Sequence, residues 1–157
     1  MEELLYLKYV LAGLFIFANA IGDIKTKQIA LEPIIMFLAT GLCINMIYFP
    51  QRWRFYIICL VPGVVMLLFS FLSKEKIGYG DSFILLAIGQ FLELKGTFEM
   101  MFWGLLFAVL FGTVLILFFK KKKDYELPFV PFMFLGYLTT FAIYYINGGQ
   151  LIYENIS

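Results

Sequence analysis

Histidine is absent from all 157 residues. That absence removes serine and cysteine catalysis through an imidazole base, the two-histidine zinc helix of metalloproteases, and haem held by histidine. Only two cysteines occur, Cys43 and Cys59. Both lie in apolar runs without a basic neighbour and read as buried, unreactive thiols, and a four-cysteine zinc site is impossible. Charge is scarce too: 15% of residues are Asp, Glu, Lys or Arg, against about 25% in an ordinary soluble domain. A net charge of +1 gives no reason to expect nucleic acid or an acidic partner. No metal or other cofactor is expected. Any chemistry must use carboxylates, lysines, hydroxyls or backbone groups.

What is abundant is apolar surface: 62% of residues are hydrophobic and 20% aromatic. A soluble core of this length could not hide the surplus, so lipid is the expected solvent. Six apolar stretches can be read: Leu4–Gly22, Pro33–Phe49, Phe55–Leu72 with a kink at Pro62, Ser82–Leu94, Phe98–Phe119 and Phe129–Ile146. The expected fold is an all-α integral membrane protein of six transmembrane helices, with residues 1–157 as one membrane-embedded domain. The fourth stretch is the odd one. Its roughly 13 residues make about 20 Å of helix, short of the ~30 Å hydrocarbon core unless Ile77–Asp81 is included. That brings a glycine-rich turn and an aspartate to the membrane surface. The first stretch is expected to be a span, a signal peptide being the poorer alternative because it opens on Glu2 and Glu3 and its apolar run is too long. Lys8, near its start, is expected to snorkel to the interface.

Lysine and arginine orient the chain. The odd-numbered loops hold Lys25, Lys27, Lys74, Lys76 and Lys120 to Lys123, whereas the opposite side holds Lys8, Arg52, Arg54 and Lys95. The positive-inside rule puts the odd loops in the cytoplasm and both termini outside. Tyr48, Trp53, Tyr56, Trp103, Tyr144 and Tyr145 fall near helix ends as interfacial anchors. The four-lysine run also suits anionic lipid.

Of the 11 acidic residues, two stand apart. Asp23 ends the first stretch and Asp81 opens the fourth, after Gly78-Tyr79-Gly80. The two intervening spans return the chain to the same face, so both carboxylates lie at cytoplasmic helix ends and can meet if helices one and four pack. Two close carboxylates in a low-dielectric site share a proton. One can then deprotonate a water while the other protonates a peptide carbonyl. Gly78 and Gly80 would allow a tight turn and close approach of an extended peptide. The plainer reading makes both residues ordinary interfacial acids, with Asp81 capping the fourth helix.

The segment Gly78-Tyr79-Gly80-Asp81, with Asp23 after helix one, resembles the GxGD intramembrane aspartyl proteases. More closely, it resembles the type IV prepilin peptidase family and its archaeal preflagellin relatives. Asp23-Ile24-Lys25-Thr26-Lys27-Gln28-Ile29 is similar to the stretch after the family's first catalytic aspartate. Leu127-Pro128-Phe129-Val130-Pro131-Phe132 is similar to the motif that opens its last helix. The chain departs where Ala30 and Leu31 follow Ile29, and where Phe83 stands in place of a common lysine. The resemblance covers nearly the whole chain and implies Asp23 and Asp81 as catalytic residues, with Gly78, Tyr79 and Gly80 at the substrate approach. It also implies a GxGD fold and a prepilin or pilin-like substrate that loses a short basic leader at the cytoplasmic face. The zinc-binding cysteine pairs of the large bacterial enzymes are missing, so the minimal form without methyltransferase activity, as in Tad-type systems, is the nearer likeness.

Three other functions share parts of this pattern. A noncatalytic membrane partner of a pilus or secretion machine would need everything but active carboxylates. A small transporter would need mid-helix charges, whereas only Asn45, Gln90 and Asn147 add notable polarity. A Ser/Lys peptidase would use Ser73 or Ser82 with Lys74 or Lys76.

Overall fold

The computed structural model describes residues 2–26, 29–72, 78–119 and 128–146. All described elements are helical: α1 (Glu2–Thr26), α2 (Leu31–Tyr48), a 3₁₀ turn (Pro50–Arg52), α3 (Trp53–Ile58), α4 (Val61–Leu72), α5 (Tyr79–Phe119) and α6 (Val130–Ile146). Their apolar residues are not confined to one stripe. Leu14, Met36, Phe71, Leu72 and Phe118 point outward, 62–77% exposed, a pattern suited to lipid rather than water. Four segments are long and apolar enough to cross a bilayer, namely Glu3–Thr26, Leu31–Tyr48, Pro50–Leu72 and Tyr79–Leu115, and Val130–Ile146 is a shorter apolar helix. The chain is a multi-pass membrane protein.

Three of the expected spans are broken or joined. The third divides at Cys59–Leu60, between α3 and α4. Pro62 has no N–H to offer the Ile58 carbonyl four residues back, which is the physical cause of the kink. The fourth and fifth stretches form one helix that starts at Tyr79, earlier than Ser82, and is interrupted at Glu93 (φ 60°, ψ −178°). The two legs of α5, residues 79–92 and 94–119, run in opposite directions. Asp81 on the first leg shares a pocket with Asp23 at the end of α1. Gly96, just past the break, lies beside Tyr9 near the start of α1. Phe111 has returned to Phe132 of α6, with ring centroids 5.5 Å apart.

In lipid no hydrophobic effect drives helices together, so close packing must do so, and glycine permits it. Gly63 of α4 faces the Leu86 backbone, and Gly89 of α5 faces the Cys59 carbonyl. Gly104 of the second leg of α5 faces Gly136 of α6, beside the Met100 carbonyl. Phe15, Phe37 and Phe91 stack in a row, with centroids 3.9 and 4.0 Å apart, so that the Phe37 ring of α2 lies between rings of α1 and the first leg of α5. On the other side of α1, the Tyr137 hydroxyl donates to the Tyr9 carbonyl at 2.8 Å.

Lys27, Ser73, Lys74, Glu75, Lys76, Lys120 to Lys123, Asp124, Glu126, Leu127 and Asn147 lie outside the described residues. Of the two thiols, Cys59 is buried, but Cys43 is exposed on α2, contrary to the expectation for it.

Candidate functional site

Asp23 occupies the last turn of α1 and Asp81 the first turn of α5. The early start of α5 makes Asp81 its third residue, inside the first turn rather than at the cap. A carboxylate there meets the positive end of the helix dipole. Both acids are nearly out of solvent, 6% and 8% exposed. They line one open pocket of about 310 Å³ together with Ile29, Leu31, Gly78, Tyr79, Gly80 and Phe83. With both acids lining the same pocket, ionising one opposes ionising the other. Two acids 58 positions apart in sequence are thus brought to one small cavity.

The three residues ahead of Asp81 each touch this arrangement. Gly78 lies against the carboxylate itself, since a Cβ there would be 3.2 Å from Asp81 Oδ2. Tyr79 lines the pocket wall. Gly80 packs onto Ile29, and an added Cβ would come within 2.7 Å of Cδ1 and 2.8 Å of Cβ of that side chain. Neither glycine has a left-handed φ. The expectation of a tight turn is therefore replaced by a demand for space, and for Gly80 the close neighbour is the chain's own Ile29.

One contributor was hidden from the residue-by-residue reading. The Val130 amide donates to Asp23 Oδ2 at 3.1 Å. The first N–H groups of a helix have no partner within it, and Pro131, the next residue, has none to give. The amides of Phe132 and Met133 bond back to the Phe129 carbonyl, which leaves Val130 to meet the carboxylate. The signal was present in the Pro128–Pro131 motif that opens α6, but its contact with Asp23 was not readable from spacing. Ile29 and Phe83 are also pocket residues; the sequence marked one inside a motif and the other as a departure.

The remaining candidates fall elsewhere. Ser82 is fully buried, its hydroxyl without a hydrogen-bond partner, and it does not line the pocket. That removes it as an accessible nucleophile for a Ser/Lys mechanism. Among the described residues no group of three or more metal-ligating side chains converges. Lys8 does not snorkel: it is 1% exposed and donates to Asn45 Oδ1 at 3.0 Å. Its neighbours Asn45 and Gln90, two of the residues that add notable polarity to the spans, belong to the same buried network.

The fold and pocket define a helical membrane protein with two acids converging at one end of the bundle. The family model of the type IV leader peptidases matches residues 9–117, a stretch that includes Asp23, Gly78, Gly80 and Asp81. The chain belongs to the type IV leader peptidase family. No curated protein and no solved structure matches it.

Proposed function

We propose that this protein is an intramembrane aspartyl endopeptidase that removes the short leader of a prepilin or pilin-like precursor. The observation that carries the reading is the convergence of Asp23 and Asp81, both nearly buried, on one pocket. Membership of a peptidase family supports it independently. In this reading each leg of α5 crosses the bilayer, giving six crossings and the GxGD architecture. The lysine-rich loops face the cytoplasm and the termini lie outside.

The chemistry needs only the two acids and a water. The ionised carboxylate takes a proton from the water as its oxygen attacks the scissile carbonyl carbon, and the protonated partner gives its proton to the carbonyl oxygen. The tetrahedral intermediate then collapses: the C–N bond breaks, and the proton held by the first carboxylate passes to the leaving amine. The second carboxylate regains a proton from the intermediate's hydroxyl, and the pair again holds one proton. Val130 orients Asp23, and the first-turn dipole of α5 supports charge on Asp81. The peptide must be extended at the bond that is cut, and the open pocket beside Gly78 and Tyr79 is where it would lie.

The test is co-expression with a prepilin from the same genome, following leader removal by gel shift for wild type, Asp23→Asn and Asp81→Asn. Each single change is expected to abolish cleavage while the protein still accumulates in the membrane. Normal cleavage by either variant would remove that residue from the mechanism. Absence of cleavage even by wild type would favour a noncatalytic partner.

A further inference from the structure

At the far end of the bundle from the carboxylates, a second polar cluster is sealed from solvent. Lys8 lies 15 residues before Asp23 on α1, about 22 Å along the axis, and Glu93 lies 12 residues after Asp81, about 18 Å. Lys8 donates to Asn45 Oδ1 of α2 at 3.0 Å. Asn45 Nδ2 donates to the Gln90 carbonyl at 2.9 Å and reaches Gln90 Oε1 at 3.3 Å. Gln90 Nε2 in turn donates to the Tyr56 carbonyl of α3 at 3.0 Å. The Lys8 ammonium also stands 5.4 Å from the centre of the Tyr56 ring, within cation–π range. Glu93, 6% exposed, is the buried acid at this end of the bundle, three residues after Gln90 on α5.

Two features say that this cluster is more than filler. Glu93 is the residue at the break of α5, with a φ of 60° that glycine would adopt at far lower cost. The Glu93 carbonyl is held by the Thr97 hydroxyl at 2.6 Å. A glutamate kept where a glycine would suit the backbone better points to a need for its charge. Moreover, α1 meets α5 less extensively than α6 does. Besides their direct contact and their shared packing on α6, the two helices that carry the aspartates are tied by side chains of α2, through the Phe15–Phe37–Phe91 stack and the Lys8–Asn45–Gln90 chain.

We propose that Lys8, Asn45 and Gln90, with Glu93 as buried counter-charge, form a latch that fixes the register of α1 against the first leg of α5 and so positions Asp23 against Asp81. Its importance for catalysis rests on the reading that the two acids are the working pair. Lys8 and Glu93 are positioning residues: they touch no substrate and act through the helices they pin.

The test separates positioning from mere stability. In one arm, Asp23→Cys and Asp81→Cys are combined with Cys43→Ser and Cys59→Ser, and a short thiol cross-linker reports their proximity in native membranes. In the other, prepilin cleavage is followed with both aspartates intact. Each arm is run with Lys8→Met, Glu93→Gln, the double change, Lys8→Arg and Glu93→Gly. Each neutralising single variant leaves one buried charge uncompensated, and the amount of folded protein is expected to fall at least threefold; the double change is expected to restore it. Cross-link yield and cleavage should nevertheless stay at least fivefold down in the double variant, because α1 is no longer tied to α2. Lys8→Arg keeps the charge and the donor to Asn45 but brings a larger head into a sealed site, so both readouts should fall below wild type yet stay above the double variant. Glu93→Gly should lose as much as Glu93→Gln despite its easier backbone. Full recovery of cross-linking by the double variant, or a double variant whose protein level is the product of the singles, would overturn the latch. If wild type never cleaves, the cross-link arm still decides the latch, and the failure belongs to the protease reading.

Discussion

Replacing Gly80 by alanine should slow the reaction markedly while leaving the protein folded. A methyl at this position would lie 2.7 Å from Ile29 Cδ1, 2.8 Å from its Cβ and 3.1 Å from Cγ1. Carbon atoms settle at about 3.5–4.0 Å, so one side must yield by about 0.8 Å or more. The Ile29 Cβ is fixed to the chain between α1 and α2, and a rotamer change cannot move it away. Relief must therefore come from displacement of that segment or of the first turn of α5. Both carry pocket residues, and Asp81 is the very next residue. Overpacking costs about 1–3 kcal/mol, while alanine in place of helical glycine returns about 1 kcal/mol. The net change in stability is thus about 2 kcal/mol or less. A shift of this size between reacting groups costs about ten- to a hundredfold in rate, or about 1.4–2.7 kcal/mol in the barrier. The assay is the initial rate of prepilin cleavage, normalised to membrane-inserted enzyme. Adding Ile29→Gly, which removes all three clashing atoms, should recover most of the rate. A Gly80→Ala protein that cleaves at the wild-type rate would refute the claim that this glycine spaces the pocket.

Two further outcomes follow from the packing. Gly136→Ala would push a methyl against the Met100 carbonyl and to 2.7 Å from the Gly104 amide nitrogen, both of them backbone; a loss of about 1–3 kcal/mol is expected, read as a lower midpoint of thermal unfolding in detergent, and an unchanged midpoint would show that α5 and α6 are not so closely apposed. The two thiols should also behave differently: a lipid-soluble maleimide should label Cys43 on the outer face of α2 and leave Cys59 unmodified until the protein is denatured, and equal labelling in native membranes would contradict the packing of Cys59 beneath Gly89.

The carboxylate pair was legible because its logic is topological. Two spans between Asp23 and Asp81 return the chain to the same face, and the glycines flanking Tyr79 mark the place. What spacing could not reveal was the reason for Gly80. Conformational freedom and steric room call for the same residue, and only the position of Ile29 decides between them. The Val130 amide was illegible for a related reason: a backbone donor leaves no trace in residue type, only in the prolines that remove its competitors. The two halves of α5 were readable as separate apolar stretches, yet the break falls at Glu93 and not in a loop around Lys95.

Lys8 shows where one-dimensional reading fails in principle. A lysine seven residues into an apolar helix can reach the interface or find partners inside, and hydropathy alone is the same in both cases. What decides is whether other helices bring an acceptor and a counter-charge to its level. Here Asn45, Gln90 and Glu93 come from positions 37 to 85 residues away. Each taken singly is a tolerable polar residue in a membrane helix. Once buried together they restrict how α1 can slide or rotate against its neighbours, because nearly any other register would strand a charge in a medium that cannot solvate it. A helix surface of leucine and phenylalanine offers many nearly equivalent registers, so apolar packing alone would fix the aspartates loosely. Placing the exacting contacts at the end remote from the pocket leaves the pocket residues free to be chosen for substrate and chemistry.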